Sequence, residues 1–278
     1  MNGDGELQQT LNSHFELEGV GLHTGSLCRL RLSPAGAGEG VRFLLPGLKD
    51  SFPATVEYQT GANRCTTLGF QGQTVHTVEH LLSALAACGI DNCLIEVDGG
   101  EVPAVDGSAL PFAHAIRKAG AQQQTLRREH IILEEPVWIE ENGSTLIAFP
   151  SSKFRITCCI DFAHRVVGKQ FFRVDVTAEA YEREIAPART FGFLAEVEEL
   201  RRQGLAGGGS LENALVIGDT GYLSPPRFDD EPVRHKTLDL IGDLALLGAP
   251  LQAEIVALKS SHRLNLLLAR RILETRRE

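Results

Sequence analysis

His235, Asp239 and Asp243 stand four residues apart in Arg234–Gly248, RHKTLDLIGDLALLG. Residues at i and i+4 share one face of a helix, so this spacing puts an imidazole and two carboxylates in one stripe. Leu238, Ile241, Leu244 and Leu247 recur at helical spacing between them, and Gly248 and Pro250 supply a stop. The stripe has two readings. One is an ordinary surface His–Asp pair. The other is a metal site, since an imidazole and a carboxylate one turn apart can both ligate a cation such as Zn²⁺. A second stretch, TVHTVEHLLSALAACG (74–89), bears on the choice. It reads as a helix from Glu79 to Ala87, capped by Thr77 and stopped at Gly89, with His76, Glu79 and His80 at its first turn. Adjacent Glu79 and His80 lie about 100° apart around such a helix. They can place a base and a ligand on two sides of one point, although Glu79 alone also suits a helix N-terminus.

Set against each other, His80, His235 and Asp239 make two imidazoles and one carboxylate around a cation, with a fourth position open. That is the composition of a catalytic zinc site, where the metal activates water. Glu79, beside a ligand, is placed to take a proton. His262 falls in the turn Lys259-Ser260-Ser261-His262. Asp243, one turn beyond Asp239, can orient it. A cationic His262 would stabilise an oxyanion or protonate a leaving amine. His23 lies in the turn Gly19-Val20-Gly21-Leu22-His23-Thr24-Gly25 and reads equally well as functional or structural.

The elements that must position these groups repeat. The first half carries strands, then TVEHLLSALAACG, the strand IDNCLIEV and the helix SALPFAHAIRKAG. The second carries strands, then RHKTLDLIGDLALLG, LQAEIVAL and HRLNLLLARRILE. This pattern predicts an α+β fold of two similar two-layer α/β sandwich domains, a pseudo-duplication with the site between them. The N-terminal α+β domain would be 1–123, with an accessory sheet at about 41–68 that includes ATVEY as a strand. The C-terminal domain would be 124–278, with an insert at about 194–223. Residues 121–130 read as a polar linker.

Composition sets the class. The chain has 278 residues, 43% hydrophobic and 23% charged, which suits a soluble globular protein. It contains no apolar run long enough for stable membrane insertion, and its start has no secretory pattern. The net charge of −9 argues against nucleic acid as a partner. Six cysteines without CxxC spacing read as reduced thiols of a cytoplasmic protein.

GVGLHTG (19–25), TVEHLLSAL (77–85), ARTFGF (188–193), VRHKTLDLIGDLALLG (233–248) and KSSH (259–262) resemble the motifs of the UDP-3-O-acyl-N-acetylglucosamine deacetylase family, the zinc amidases of lipid A synthesis. The resemblance runs from about residue 12 to 270. It implies removal of the 2-N-acetyl group from a UDP-linked, 3-O-acylated amino sugar, with release of acetate. It implies one Zn²⁺ on His80, His235 and Asp239, Glu79 as general base, and His262 paired with Asp243 as the positive partner. It further suggests that Thr190 donates to the oxyanion and Phe191 touches the amide. Lys236 would lie near sugar and phosphates, Lys259 and Phe162 near the nucleotide, and the insert would pass the acyl chain. A cytoplasmic monomer is expected. Ser261 departs from the family's usual Gly, which suggests a narrowed sugar site or an unusual backbone angle. Two other classes share the ligand set. A non-haem Fe(II) oxygenase also uses two His and a carboxylate, and an iron-loaded hydrolase fits the same N/O donors. A metal-stabilised binding protein would be closed by a fourth protein ligand.

Overall fold

The computed structural model describes residues 6–276. In chain order the first half has β1 (Leu7–Leu11), β2 (Phe15–Val20), β3 (Leu27–Pro34), β4 (Val41–Leu44) and β5 (Phe52–Pro53). A 3₁₀ turn at Val56–Tyr58 leads to β6 (Gln59–Gly61), β7 (Thr67–Phe70) and β8 (Gln73–Val75). Helix α1 (Glu79–Ala87), β9 (Cys93–Asp98) and α2 (Leu110–Ala119) follow. The second half has β10 (Ala121–Arg127), β11 (Ile131–Ile132), β12 (Val137–Glu141), β13 (Ser144–Pro150), β14 (Arg155–Asp161) and β15 (Lys169–Asp175). One turn, α3 (Ala178–Ala180), runs into a π-helical turn at Tyr181–Ile185. Then come β16 (Phe191–Phe193), α4 (Leu194–Arg202), β17 (Leu215–Gly218), β18 (Gly221–Tyr222), α5 (Glu231–Ala245), β19 (Leu251–Leu258) and α6 (His262–Thr275).

Two sheets carry the fold. The first has the order β2-β3-β9-β4-β5, the second β12-β13-β19-β14-β15, with β11 beside β19. In each, the strand between two helices (β9 or β19) pairs antiparallel to one neighbour and parallel to the other. Strand alternation decides which side chains go inward. Leu30, Leu32, Phe43, Ile95 and Val97 from the first sheet, and Leu146, Ala148, Ile156, Ile255 and Ala257 from the second, join one continuous apolar core with the helices. The fold is thus mixed α+β, as expected.

Several local expectations are corrected. Residues 121–127 are not linker: β10 pairs antiparallel with β1. β10 is polar and largely exposed, β1 buries Thr10 and Leu11 at its end, and Asn92 Nδ2 donates to Gln8 and to Gln124, one on each strand. ATVEY is not a strand, because the Val56 N–H donates to the Leu246 carbonyl, just past the end of α5, at 2.9 Å. The accessory sheet is β6-β7-β8, whereas β4 and β5 belong to the first main sheet. Helix α5 begins at Glu231, ahead of Arg234, because Pro232 sits in the first turn, where its missing N–H costs nothing. The cysteines are free thiols.

Candidate metal centre

Helices α1 and α5 touch through a glycine. A Cβ on Gly242 would lie 2.0 Å from the Glu79 carbonyl oxygen, so only hydrogen allows this approach. The contact brings the start of α1 against the α5 stripe. His80 and His235 meet edge to face, their ring centroids 5.0 Å apart. Asp239 Oδ1 lies 3.3 Å from His235 Nε2 and 3.7 Å from His80 Nε2. Candidate ligand atoms of the three residues all lie within 4.8 Å of one another. Asp239 Oδ1 is buried and has no hydrogen-bond partner. An unpaired buried carboxylate oxygen is costly; one held between two imidazole nitrogens fits a cation.

Glu79, Asp239 and His262 form a second group of the same span. Protonation separates the two. Burial pushes His80 down to about 4 and His235 down to about 3, although Asp239 pulls both upward. Both rings are therefore neutral at pH 7, with a lone pair to give. Burial also works against a charge on His262, yet Asp243, Asp239 and Glu79 together raise it to about 9. Both its ring nitrogens then carry protons and neither can ligate. His262 is thus a candidate acid, which leaves His80, His235 and Asp239 as the candidate ligand set. Burial opposes ionisation of Asp239, but His235, Lys236, His262 and His80 hold its carboxyl well below the usual range. Burial pushes Glu79 up to about 8, with His262 pulling back and Asp243 and Asp239 adding to the rise.

Hydrogen bonds hold Glu79 and His262 in place. Glu79 Oε2 accepts from the Thr66 N–H at 3.0 Å, and its Oε1 lies 3.7 Å from His262 Nε2. His262 Nδ1 donates to Asp243 Oδ2 at 2.9 Å. Asp243 also accepts from Thr66 Oγ1 at 2.5 Å and from Asn265 Nδ2 at 2.8 Å. His262 opens α6 rather than lying in a turn. Ser261 is its N-cap, its hydroxyl accepting from the Leu264 N–H. The Ser261 φ of −147° is extended backbone that any residue adopts, so the feared strain is absent there; the positive φ falls on Lys259. Thr77 does not cap α1. It has a positive φ and donates to Glu101.

The remaining expected residues spread outward from this cluster. Lys236 Nζ donates to Asp239 Oδ2 at 2.8 Å and stands 5.7 Å from the Phe191 ring. Phe191 packs edge-on to His235 at 5.9 Å and to Phe162 at 5.8 Å. Thr190 is held by its backbone, its N–H donating to Gly107 and its carbonyl accepting from Leu215. Lys259 pairs with Asp161 at 3.2 Å on a more exposed rim. His23 Nδ1 accepts from the Ala206 N–H, and its Nε2 is buried without a partner. Burial pushes the Cys65 thiol up to about 12, with Glu79 adding, so it is no nucleophile at neutral pH. A cleft of about 960 Å³ opens at the other ends of α1 and α5, among Ala86, Gly89, Gly248 and Arg128.

Sequence reasoning missed Thr66, Asn265 and the pair Arg189–Glu231. Glu231 is fully buried and accepts from the Arg189 N–H, Nε and Nη2 and from the Arg227 N–H. It ties the segment that carries Thr190 and Phe191 to the first residue of α5. Asn265 had a visible signal, three residues after His262 on a helix. Thr66 and Glu231 had none, since their partners are distant in the chain.

Residues 8–274 match the family model described as UDP-3-O-acyl N-acetylglycosamine deacetylase. A UDP-3-O-acyl-N-acetylglucosamine deacetylase of Myxococcus xanthus is 45% identical over 270 residues, 96% of this chain and 86% of that protein. The protein of the same name from Thermosynechococcus vestitus is 47% identical over 272 residues, 97% of this chain and 95% of its own length. That from Nostoc is 44% identical over 274 residues, covering 96% and 98%.

Proposed function

The chain belongs to the UDP-3-O-acyl N-acetylglycosamine deacetylase family, and from that membership we propose that it hydrolyses the 2-N-acetyl group of a UDP-3-O-acyl-N-acetylglucosamine, in lipid A biosynthesis. Water adds its oxygen to the acetyl carbon, the C–N bond breaks, acetate leaves, and the sugar nitrogen gains a proton. The observation that carries the reading is the pairing of a neutral two-imidazole, one-carboxylate set with a separate base and acid at its edge. His80, His235 and Asp239 would hold the cation, which we take as Zn²⁺; the N/O donors would also accept Fe²⁺. A cation there supplies Lewis-acid activation of water and of the amide carbonyl.

This chain's own residues do the proton work. Glu79 keeps one oxygen on the Thr66 N–H, which leaves Oε1 aimed toward His262 and the ligand set. That oxygen would be the base, because a cation on the neighbouring ligand set would favour the ionised carboxylate and offset the rise that burial causes. His262, charged and held by Asp243, lies 3.8 Å from Asp239 Oδ2, and its Nε2–H is the acid for the leaving amine. Thr190 and Phe191, anchored through Arg189 and Glu231, would orient the acetyl group. Lys236, Lys259, Phe162 and His23 would contact sugar, phosphates or nucleotide. The insert 194–223 would hold the acyl chain. Helix α4 has no buried residue, and its Val197 and Leu200 stay half-exposed, which supports that use. The matching strand order of the two sheets supports descent of the halves 1–123 and 124–278 from one duplicated unit. The cytoplasmic setting rests on the family alone.

The test is acetate release from UDP-3-O-(3-hydroxyacyl)-N-acetylglucosamine after metal removal and stepwise return of Zn²⁺ or Fe²⁺. Turnover should return with one equivalent and be absent from Asp239→Ala. No turnover at any acyl length, with one metal bound, would overturn the substrate assignment.

A further inference from the structure

Glu101 is fully buried and belongs to neither candidate metal group. It lies in the loop between β9 and α2. A buried carboxylate is costly unless its oxygens are satisfied, and here each oxygen accepts twice. Oε1 accepts from the His23 N–H at 3.0 Å and from the Thr77 hydroxyl at 2.8 Å. Oε2 accepts from the Thr24 N–H at 2.8 Å and from the Thr24 hydroxyl at 2.7 Å. Burial opposes its ionisation, yet these N–H and O–H groups hold the carboxyl below its usual range. The bonds join two segments far apart in the chain. Thr77 has a positive φ of 59° and stands two residues before Glu79, at the entry to α1. His23 and Thr24 belong to the turn 19–25, which sits so close that a Cβ on Gly21 would overlap Glu101 Oε2.

The same turn receives the insert. The Gly207 N–H donates to the His23 carbonyl at 3.0 Å, and the Gly208 N–H donates to the Leu22 carbonyl at 3.1 Å. The Ala206 N–H donates to His23 Nδ1 at 3.5 Å. A Cβ on Gly208 would overlap the Gly21 carbonyl oxygen, so the two backbones meet only because both residues are glycine. Buried Asn213 closes the docked loop, its Nδ2 donating to the Gly208 carbonyl and its Oδ1 accepting from the Ser210 N–H. The loop follows the end of α4 directly. Since α4 buries none of its own residues, its position depends on how its ends are held.

We propose that Glu101 is the positioning residue that sets which acyl chains the insert accepts, by holding the turn on which the insert docks. The insert's role as holder of the acyl chain is the premise; Glu101 lies outside the insert and acts on it only through the turn. With its acceptor weakened, the turn can retreat, and residues 206–208 and the end of α4 move with it. The acetyl group and the sugar bind near the metal centre, whereas only a long chain extends to α4. Displacement of the docked loop therefore penalises long chains and spares short ones. A role confined to Thr77 and the entry to α1 would instead disturb Glu79 and His80, and would penalise all substrates alike.

Glu101→Gln keeps the size of the side chain but turns one oxygen into an NH₂ group, which cannot accept. Either His23 and Thr77 or Thr24 then lose their acceptor. The metal-loaded, full-length protein is assayed for acetate release from two UDP-linked substrates, one 3-O-(3-hydroxymyristoyl) and one 3-O-(3-hydroxybutyryl). The long-to-short ratio of kcat/KM should fall at least ~10-fold, the scale of a displacement remote from the chemistry. The loss should fall on KM of the long substrate, with one metal per chain retained. Without substrate, amide hydrogen exchange at Gly207 and Gly208 should quicken at least ~10-fold. Thr24→Val, on the exposed side of the turn, removes one of the four bonds. It should move both readouts in the same direction, and it stands alone if Glu101→Gln does not fold. A ratio within about twofold of wild type, or an equal loss on both substrates, would overturn the proposal even if exchange quickens. So would unchanged exchange at Gly207 and Gly208. A wild type that releases acetate from neither substrate would sink the deacetylase reading instead, and the exchange would still decide whether Glu101 holds the insert.

Discussion

Gly242→Ala should damage the metal centre without touching a ligand. The added Cβ would lie 2.0 Å from the Glu79 carbonyl oxygen, 2.7 Å from its carbonyl carbon and 2.9 Å from its Cα. All three are backbone atoms, so no rotamer change relieves them. An ordinary contact begins near 3.4 Å, which requires α1 and α5 to part by about 1.4 Å (3.4 − 2.0). Overpacking of this kind costs ~1–3 kcal/mol. The larger effect falls on the cation, since His80 rides on α1 while His235 and Asp239 ride on α5. Metal–ligand distances tolerate only about ±0.2 Å. Zn²⁺ affinity should therefore fall at least ~10-fold, the lower end of what lost ligand orientation costs. Chelator competition measures the affinity, and thermal unfolding of the metal-free protein measures the stability. Gly221→Ala is the control, because nothing lies within 4 Å of its added Cβ. If Gly242→Ala binds Zn²⁺ within twofold of wild type and melts at the same temperature, the helix contact does not set the site.

Other outcomes follow from the same geometry. Asp243→Asn removes the largest support of the raised His262 pKa, so the alkaline limb of kcat/KM should move from near pH 9 toward lower pH, measured as a pH–rate profile. His262 also links stability to pH in the metal-free chain. Its folded pKa of about 9 exceeds the ordinary 6.5, so its contribution is complete below pH 6.5 and fades as pH rises through 9. The fade is of order 3 kcal/mol at most, and denaturant titrations across that window should show it in wild type and not in Asp243→Asn. Glu231→Gln breaks the buried pair with Arg189 and should destabilise by ~3–5 kcal/mol. In whatever remains folded it should lower kcat more than metal content, because the displaced segment carries Thr190 and Phe191.

Much of this arrangement is legible in the chain because it is local. α1 ends at Ala87 and β19 spans Leu251–Leu258, as apolar period and a glycine stop indicate. The i, i+4 stripe His235-Asp239-Asp243 lies on one buried face, and the helix pair brings His80 to it. What stayed hidden is non-local. Thr66 reaches Asp243 across 177 residues, and Glu231 reaches Arg189 across 42. No periodicity marks such partners. β1 and β10 were missed for a different reason: β10 has no buried face and β1 buries only the adjacent Thr10 and Leu11 at its end, so the alternation that reveals strands is absent. Ser261 looked like a strained replacement for glycine because its role as an N-cap depends on where α6 begins, and sequence places helix ends less surely than helices.

The central claim is that cation binding and proton transfer are divided between two sets of residues in one cluster. Glu79→Gln tests it most directly, with metal content and acetate release measured on the same preparation. Glutamine keeps the size of the side chain and an oxygen to accept from the Thr66 N–H, but it cannot take a proton. The division predicts one metal per chain, as in wild type, and a loss of at least ~100-fold in kcat, the scale of a general base. A variant that loses its metal would make Glu79 a ligand. A variant that keeps both metal and turnover would contradict its role as the base.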